Sequence, residues 1–458
     1  MERGLAQQAR WWSWRRQRLD RSCRGVEDCL QSVVGVYSAN PHGPLSLLAR
    51  VPRLLKGAAV EGVIGTRRAL RVPAMRRSVF MLPTETAPLA FWATRGSDAP
   101  FRSLLKRAGI DDEAYAHVKA GVLTVAQSPM PIGTIREQLA DPPEHLGYAL
   151  QFMCAEGELL RIKAPTIRSN EFSYCATEAW LGAPFKQVPR DEALTWLAGD
   201  YLSAFGPVSV EDFAWWTGAP TGVAEAAILG HDPIDLGGGY LLHRRDERAF
   251  AGLRPLSGRV NLLPKWDCYT MGYATASRAR FAAPELLDLI FDAGGNAQPV
   301  VLVEGEVQGM WDYRISGDRI RITLRMFSTP GPRLREALGS EAVLVADFLE
   351  TERRTIDVEQ LERPRKRGAV RRAPSRKTAP RTSATSRTAA RSGKAAPRKA
   401  ATKKVASKKP ARRKPAKKKP AKRKAATKKS VATARARKRT ASGRSAPSLR
   451  RTSKRRGR

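Results

Sequence analysis

Cysteine and histidine are both scarce, at five residues each in a chain of 458. Cys23, Cys29, Cys154, Cys175 and Cys268 are odd in number and show no Cys-x-x-Cys spacing, which excludes a zinc-ribbon framework and gives no disulfide scaffold. They read as reduced, buried thiols. His42, His117, His145, His231 and His243 stand singly, with no His-Glu-x-x-His, so neither a metal nor a cofactor is expected. Long apolar runs are missing as well. None approaches the roughly 20 residues that cross a bilayer, and the opening MERGLAQQARWWSWRRQRLD breaks its apolar positions with arginine before a signal-peptide core can form. The expectation is a soluble, cytoplasmic protein with no membrane partner.

Acid is missing from one end of the chain. Arg363 to Arg458 holds 40 Lys and Arg and no Asp or Glu, whereas the first 362 residues hold 42 basic and 43 acidic side chains. The net charge of +39 therefore belongs to a tail, and the body is close to neutral. Beyond Leu361 large apolar side chains almost vanish, so residues 363–458 are expected to be disordered, because too little surface can be buried to offset the ordering entropy. Proline recurs every five residues at Pro410, Pro415 and Pro420, which interrupts any helix and spreads the cations along an extended chain. The tail resembles those of linker histones and should bind polyanions, DNA first and RNA as a further possibility, through counterion release and without sequence preference.

The body, at about 360 residues, exceeds one ordinary core and should divide into two to four domains. Residues 8–34 read as two helices, and Asn40-Pro41 and Gly43-Pro44 force a loop before a short helix at 45–49. With the strand-like ALRVPAMRRSVFML these make a first winged-helix-like unit, 1–115. In 116–188 a helix at 132–139, a proline-marked turn, a helix at about 144–157 and the basic strands LLRIK and EFSYCAT follow the order of a winged helix-turn-helix. The pattern recurs in 189–255, where Ser209 should cap the helix SVEDFAWWTG. Gly237-Gly238-Gly239 reads as a tight turn rather than a phosphate cradle, since no helix N-terminus follows it. Trp215 and Trp216 could stack bases, but core packing is the better reading. Residues 256–362 turn β-rich and close with an amphipathic helix, PRLREALGSEAVLVADFLE. The fold expected is α+β: three tandem winged-helix units, a small barrel-like β-rich domain, then the basic tail.

Four segments, RVPAMRRSVFMLP (71–83), YLSAFGPVSVEDFAWWTG (201–218), LLPKWDCYTMGYATASR (262–278) and VLVEGEVQGMWDYRI (301–315), keep the order and spacing of the AlkZ/YcaQ-like winged helix DNA-binding family, which the chain resembles over most of residues 20–350. The resemblance implies tandem winged helices, a β-barrel, DNA as partner, and glycosylase action on alkylated or cross-linked purines. N7-alkylation already makes the base a cationic leaving group, so such an enzyme needs an oriented water and a stabilised sugar cation rather than a strong acid. In the family a Gln-x-Gln or Gln-x-Asp in the motif G-V-Q-A-Q-D-P does this. Here the segment is Gly35-Val36-Tyr37-Ser38-Ala39-Asn40-Pro41, so Tyr37 and Ala39 replace both catalytic side chains. Asn40 offers a carboxamide one residue later, although a turn role beside Pro41 is the simpler reading. Arg77 and Phe80 replace the glycine and histidine common in the next motif.

The expectation is a DNA-binding protein of this family, nucleoid-associated, with tail-driven affinity and recognition of damaged DNA, and with its catalytic residues unassigned. An active glycosylase is the alternative, and a nucleoid- or RNA-associated protein a further one. Candidate phosphate contacts are Arg76 and Arg77 in the first unit, Arg161, Lys163 and Arg168 in the second, and Lys265 and Arg278 in the third motif.

Overall fold

A computed structural model describes residues 3–51, 56–255 and 257–361. The expectations for residues 363–458 lie outside the described residues.

The helices follow the apolar periodicity closely. Arg3–Arg16 and Val26–Ser32 are the two expected N-terminal helices, and His42–Leu48 is the short one after the proline loop. Strand β1 (Val36–Tyr37) lies beside a hairpin of β2 (Ala69–Pro73) and β3 (Val79–Pro83), in the order β1-β3-β2. Both pairings are antiparallel, and they set Tyr37 opposite Phe80. Gly35 enters β1 with φ 77°, a left-handed conformation that costs a side-chain-bearing residue energy.

The helices Ile132–Gln138 and Leu146–Glu156 sit where the sequence places them. β4 (Met130–Pro131) precedes them and β5 (Leu159–Arg161) and β6 (Ser173–Ala176) follow, forming one sheet ordered β4-β6-β5. Gly157 ends the second helix with φ 84°, accepting the left-handed turn that stops it. Further on come the helices Arg190–Phe205, Val210–Thr217 and Thr221–Leu229. A small hairpin follows, β7 (Ile234–Asp235) and β8 (Leu241–Leu242), whose turn holds Gly237, Gly238 and Gly239 at positive φ. The triple glycine is thus a turn.

The C-terminal sheet contains β9 (Val260–Leu263), β10 (Val300–Val303), β11 (Glu306–Ser316), β12 (Arg319–Met326) and β13 (Arg353–Gln360), in the order β13-β12-β11-β10-β9. β13 runs parallel to β12, the other pairs antiparallel. The barrel-like expectation needs correcting. Among the described residues no pairing joins β9 to β13, because the helix Pro332–Phe348 packs against both strands and occupies the space that closure would need. β13 gives only a short sequence signal, since Ile356 and Val358 alternate with Asp357 and Glu359 while most of its other side chains are charged and exposed.

One hydrophobic cluster runs from Trp14 to Leu349 and joins the N-terminal helices, the helix Arg190–Phe205 and the C-terminal sheet. A second, from Leu105 to Leu159, is centred on Phe152. All five cysteines are buried and unpaired. No helix among the described residues is long and apolar enough to cross a membrane, and none of their His, Cys, Asp and Glu form a metal-binding group.

Candidate functional site

The two most specific sequence motifs bind each other. Ser209 and Asp212 form a capping box at the start of Val210–Thr217, Asp212 Oδ2 accepting from the Ser209 N–H at 3.0 Å. The same carboxylate accepts from the Ala274 N–H at 2.8 Å and the Ser277 hydroxyl at 2.7 Å. Tyr201 donates to the Gly272 carbonyl at 2.6 Å, and Tyr273 to that of Phe205 at 2.9 Å. Asp212 is fully buried, so the helix and the 272–280 segment form one rigid support.

The Asp of the Leu-Pro-x-x-Asp feature has a similar task. Asp267 receives two hydrogen bonds from Arg50, at 2.7 and 2.8 Å, and both side chains are 0% exposed. Burial pulls against the Arg50 charge, but Asp267 outweighs it and keeps the guanidinium protonated. Asp267 Oδ1 also caps the short helix Cys268–Met271 through the Tyr269 N–H at 2.9 Å. The preceding Trp266, at φ 62°, is thereby presented toward β1.

Trp266 borders a cavity of about 440 Å³. Its walls are the aromatic rings of Tyr37, Phe172, Tyr174 and Trp266, the neutral polar groups of Ser38, Ser78, Asn170 and Asn296, the small side chains Ala39 and Val79, and Arg161. No carboxylate lines it. Tyr37 packs 4.5 Å from Phe80 and lies nearly parallel to Trp266, 6.4 Å away and 20° between planes. Burial raises the Tyr37 pKa, with Arg76 and a hydrogen bond to Ser78 pulling the other way, so the phenol stays neutral near pH 7. His42 meets the Trp266 ring edge-on at 5.3 Å. Burial, then Lys265, lower its pKa to about 4, so it too is neutral and weakly basic.

Asn40 does not face this cavity as a catalytic amide. Its Nδ2 donates to the Ser169 carbonyl at 2.9 Å, and its backbone exchanges hydrogen bonds with the Asn170 side chain at 2.7 and 2.9 Å. It clamps the β5–β6 loop onto the motif. That is more than the turn role read from the sequence, and its Oδ1 is left buried without a partner.

The seven candidate cations separate into groups. Arg161 lines the cavity, 6.0 Å from the Tyr174 ring, and Lys265 lies over Trp266 at 4.5 Å. Arg76 and Arg278, 202 positions apart, both reach the indole of Trp215, at 4.4 and 5.1 Å from its ring centre. Arg77 turns away and packs against Gly96. Lys163 lines a separate cavity of about 540 Å³ along the helix Gly57–Gly65, and Arg168 is exposed in the β5–β6 loop. The two tryptophans divide as well. Trp216 is buried in a ring cluster with Tyr201 and Phe205, in keeping with core packing, whereas Trp215 is half-buried and carries the two arginines. Sequence reasoning passed over Trp266, which the Leu-Pro-x-x-Asp motif contained, and Phe172 and Tyr174, which alternate along β6 and its approach.

The chain is similar to known proteins in sequence and fold. Residues 30–348 match the family described as DNA glycosylase AlkZ-like. Over 155 residues the chain is 28% identical to the interstrand DNA cross-link repair glycosylase of Streptomyces sahachiroi, a stretch that is 32% of this chain and 41% of that relative. The solved structure of the Streptomyces sahachiroi DNA glycosylase AlkZ has the same fold, with a TM-score of 0.62 at 21% identity, covering 77% of this chain and 98% of that one.

Proposed function

Because the chain belongs to the AlkZ-like DNA glycosylase family, we propose that it is a DNA-binding member that holds an extruded or damaged base without cleaving its glycosidic bond. One observation carries this reading. The cavity at Tyr37 and Ala39, where the family's motif supplies its catalytic pair, has aromatic faces and neutral hydrogen-bonding groups but no carboxylate, glutamine or basic histidine. Aromatic faces and amide or hydroxyl groups suffice to stack and read an unstacked base. The two carboxamides present do not stand in for the motif's pair, because Asn170 is engaged on both amide atoms by the Asn40 backbone and the Asn296 amide nitrogen by Asp292, and no carboxylate is there to stabilise an oxocarbenium ion.

In this reading the body consists of three winged-helix units, 1–115, 116–188 and 189–255, followed by the β-rich domain 256–362. Arg161 and Lys265 contact phosphates beside the cavity, and Arg76 and Arg278 do so at Trp215. Arg77, Lys163 and Arg168 point elsewhere and contribute to a wider positive surface. The 40 cations of residues 363–458 supply nonspecific affinity and place the protein on the nucleoid.

The test is a single-turnover base-release assay with the full chain and duplex DNA carrying N7-methylguanine, abasic sites being scored by alkaline cleavage. The expected result is tight binding with release at the spontaneous rate. Release well above that rate, lost in Tyr37→Phe or Asn40→Ala, would establish the glycosylase alternative. RNA competing as well as duplex DNA would favour the RNA-associated reading.

A further inference from the structure

We propose that Arg76 and Arg278, gathered on the indole of Trp215, form a binding site for a single phosphate group, filled in the DNA complex by one phosphodiester of the backbone. The proposal rests on the DNA-binding reading for its natural ligand.

The site is assembled from three distant segments, each held in place independently. Arg76 occupies the tip of the β2–β3 hairpin, closed by the Ala74 N–H donating to the Ser78 carbonyl at 2.8 Å and the Ser78 N–H to that of Met75 at 3.1 Å. Arg76 and Arg77 there take φ values of 52° and 60°. With the Ser78 N–H on the Met75 carbonyl they are the two central residues of a primed hairpin turn, which demands positive φ at both places and usually takes glycine, asparagine or aspartate there, so two arginines carry a conformational cost. Trp215 rides on the helix Val210–Thr217, and Arg278 on the segment that Asp212 ties to that helix.

Arg278 is buried without the partner that buried arginines elsewhere in the chain possess. Arg50 and Arg71 each face a carboxylate, and Arg280 donates to three backbone carbonyls. Arg278 is 4% exposed, yet its one hydrogen bond runs from Nε to the Tyr273 carbonyl at 3.1 Å. Its terminal amino groups have no acceptor among the described residues and are not sealed from solvent. Its flat faces meet Phe291, 3.6 Å from the ring centre, and Trp215. Asp212, the carboxylate closest in influence, has its oxygens engaged by Ser209, Ala274 and Ser277 and makes no ion pair with it. Arg76 likewise has no acid within ion-pair distance among the described residues.

Two guanidinium groups on one ring, with no ion-paired carboxylate among the described residues, repel each other. Burial first and Arg76 second lower the Arg278 pKa to about 10, which still leaves it charged at neutral pH. An anion between them removes the repulsion. Stacking on rings fixes each guanidinium plane and leaves its N–H edge free, the geometry that donates to tetrahedral phosphate oxygens at about 2.7–2.9 Å. Arg76 also acts on the Tyr37 phenol, so a phosphate bound here sets the register of the backbone beside the aromatic cavity.

The experiment labels the full chain with 5-fluorotryptophan and follows the ¹⁹F signal of Trp215, assigned by its loss in Trp215→Phe. Inorganic phosphate is titrated against chloride at constant ionic strength, and then a duplex oligonucleotide is added. The expected result is a saturable shift of the Trp215 signal with phosphate, a half-saturation concentration raised roughly fivefold or more in Arg76→Gln and in the charge-retaining Arg278→Lys, and displacement of the same signal by the duplex. A Trp215 signal unmoved by phosphate or duplex, while other tryptophan signals respond to the duplex, overturns the site and leaves DNA binding standing. An identical phosphate response in Arg76→Gln overturns it too. A phosphate response that needs Arg76, in a protein that ignores the duplex, supports the phosphate site and removes the DNA reading.

Discussion

Replacing Asp267 by asparagine removes one charge and almost no volume, and the structure says what remains. Arg50 loses its counter-charge and one of the two carboxylate oxygens that accept from it at 2.7 and 2.8 Å; the remaining amide oxygen, the Ser46 carbonyl at 2.8 Å and a long contact to Gln17 at 3.4 Å are neutral acceptors, and the new amide NH2 faces the guanidinium donor to donor. Its Nε already lacks a partner. A fully buried cation with no counter-ion costs about 3–5 kcal/mol when its partner is removed, so Asp267→Asn should lower unfolding stability by that amount in urea titrations. The double variant Arg50→Met with Asp267→Leu removes both charges and leaves mainly the unsatisfied Tyr269 N–H and Ser46 carbonyl. It should cost about 1–3 kcal/mol, less than the single change. A single variant within about 1 kcal/mol of the parent protein, or a double variant worse than the single, would refute the claim that an isolated buried charge is what the pair prevents. Trp266 adjoins Asp267, so the single variant should also weaken retention of an extruded base.

Other consequences follow from the same geometry. His42 has a folded pKa of about 4 against 6.5 when exposed, so between those values the unfolded chain binds the extra proton and stability falls as pH drops. From pH 7 to pH 4.5 this group alone should remove about 2 kcal/mol, and His42→Leu should flatten that part of a stability-pH profile; an unchanged slope refutes the assignment. At Gly43 a Cβ would stand 2.0 Å from the Tyr37 carbonyl oxygen, so Gly43→Ala must displace β1 and should cost about 2 kcal/mol or more by denaturant titration. Asp212→Ala strips acceptors from Ser209, Ala274 and Ser277 at once. It should cost about 3 kcal/mol and, by loosening Arg278, reduce DNA affinity more than the surface variant Arg168→Ala does in the same binding assay.

Much of the fold was legible because it depends on neighbours a few residues apart. The Ser209 cap, the triple-glycine turn and the helix pair before β5 are local bargains between side chain and backbone, and they appear where the pattern places them. The departure of Tyr37 and Ala39 from the motif that the resemblance implies was equally plain. β13 was not legible. Its alternation runs only from Ile356 to Glu359, too short to mark a strand, and its place depends on a parallel partner and a covering helix that lie elsewhere in the chain.

The sequence by itself determined the segregation of charge, the resemblance to the family and the Tyr37 and Ala39 that depart from the motif expected there, because these are properties of residue identity and order. Only the tertiary structure decided which cations cooperate. Arg76 and Arg278 were two separate candidates until the Asp212 network brought their segments to one indole, and Arg50 and Asp267 are 217 positions apart. Asn40 shows the same division. Its carboxamide was visible in the chain, but whether it faced a substrate or clamped a loop was settled by Ser169 and Asn170, some 130 residues away. Electrostatic partners are chosen by distance in space, and distance in space is what a one-dimensional pattern does not contain.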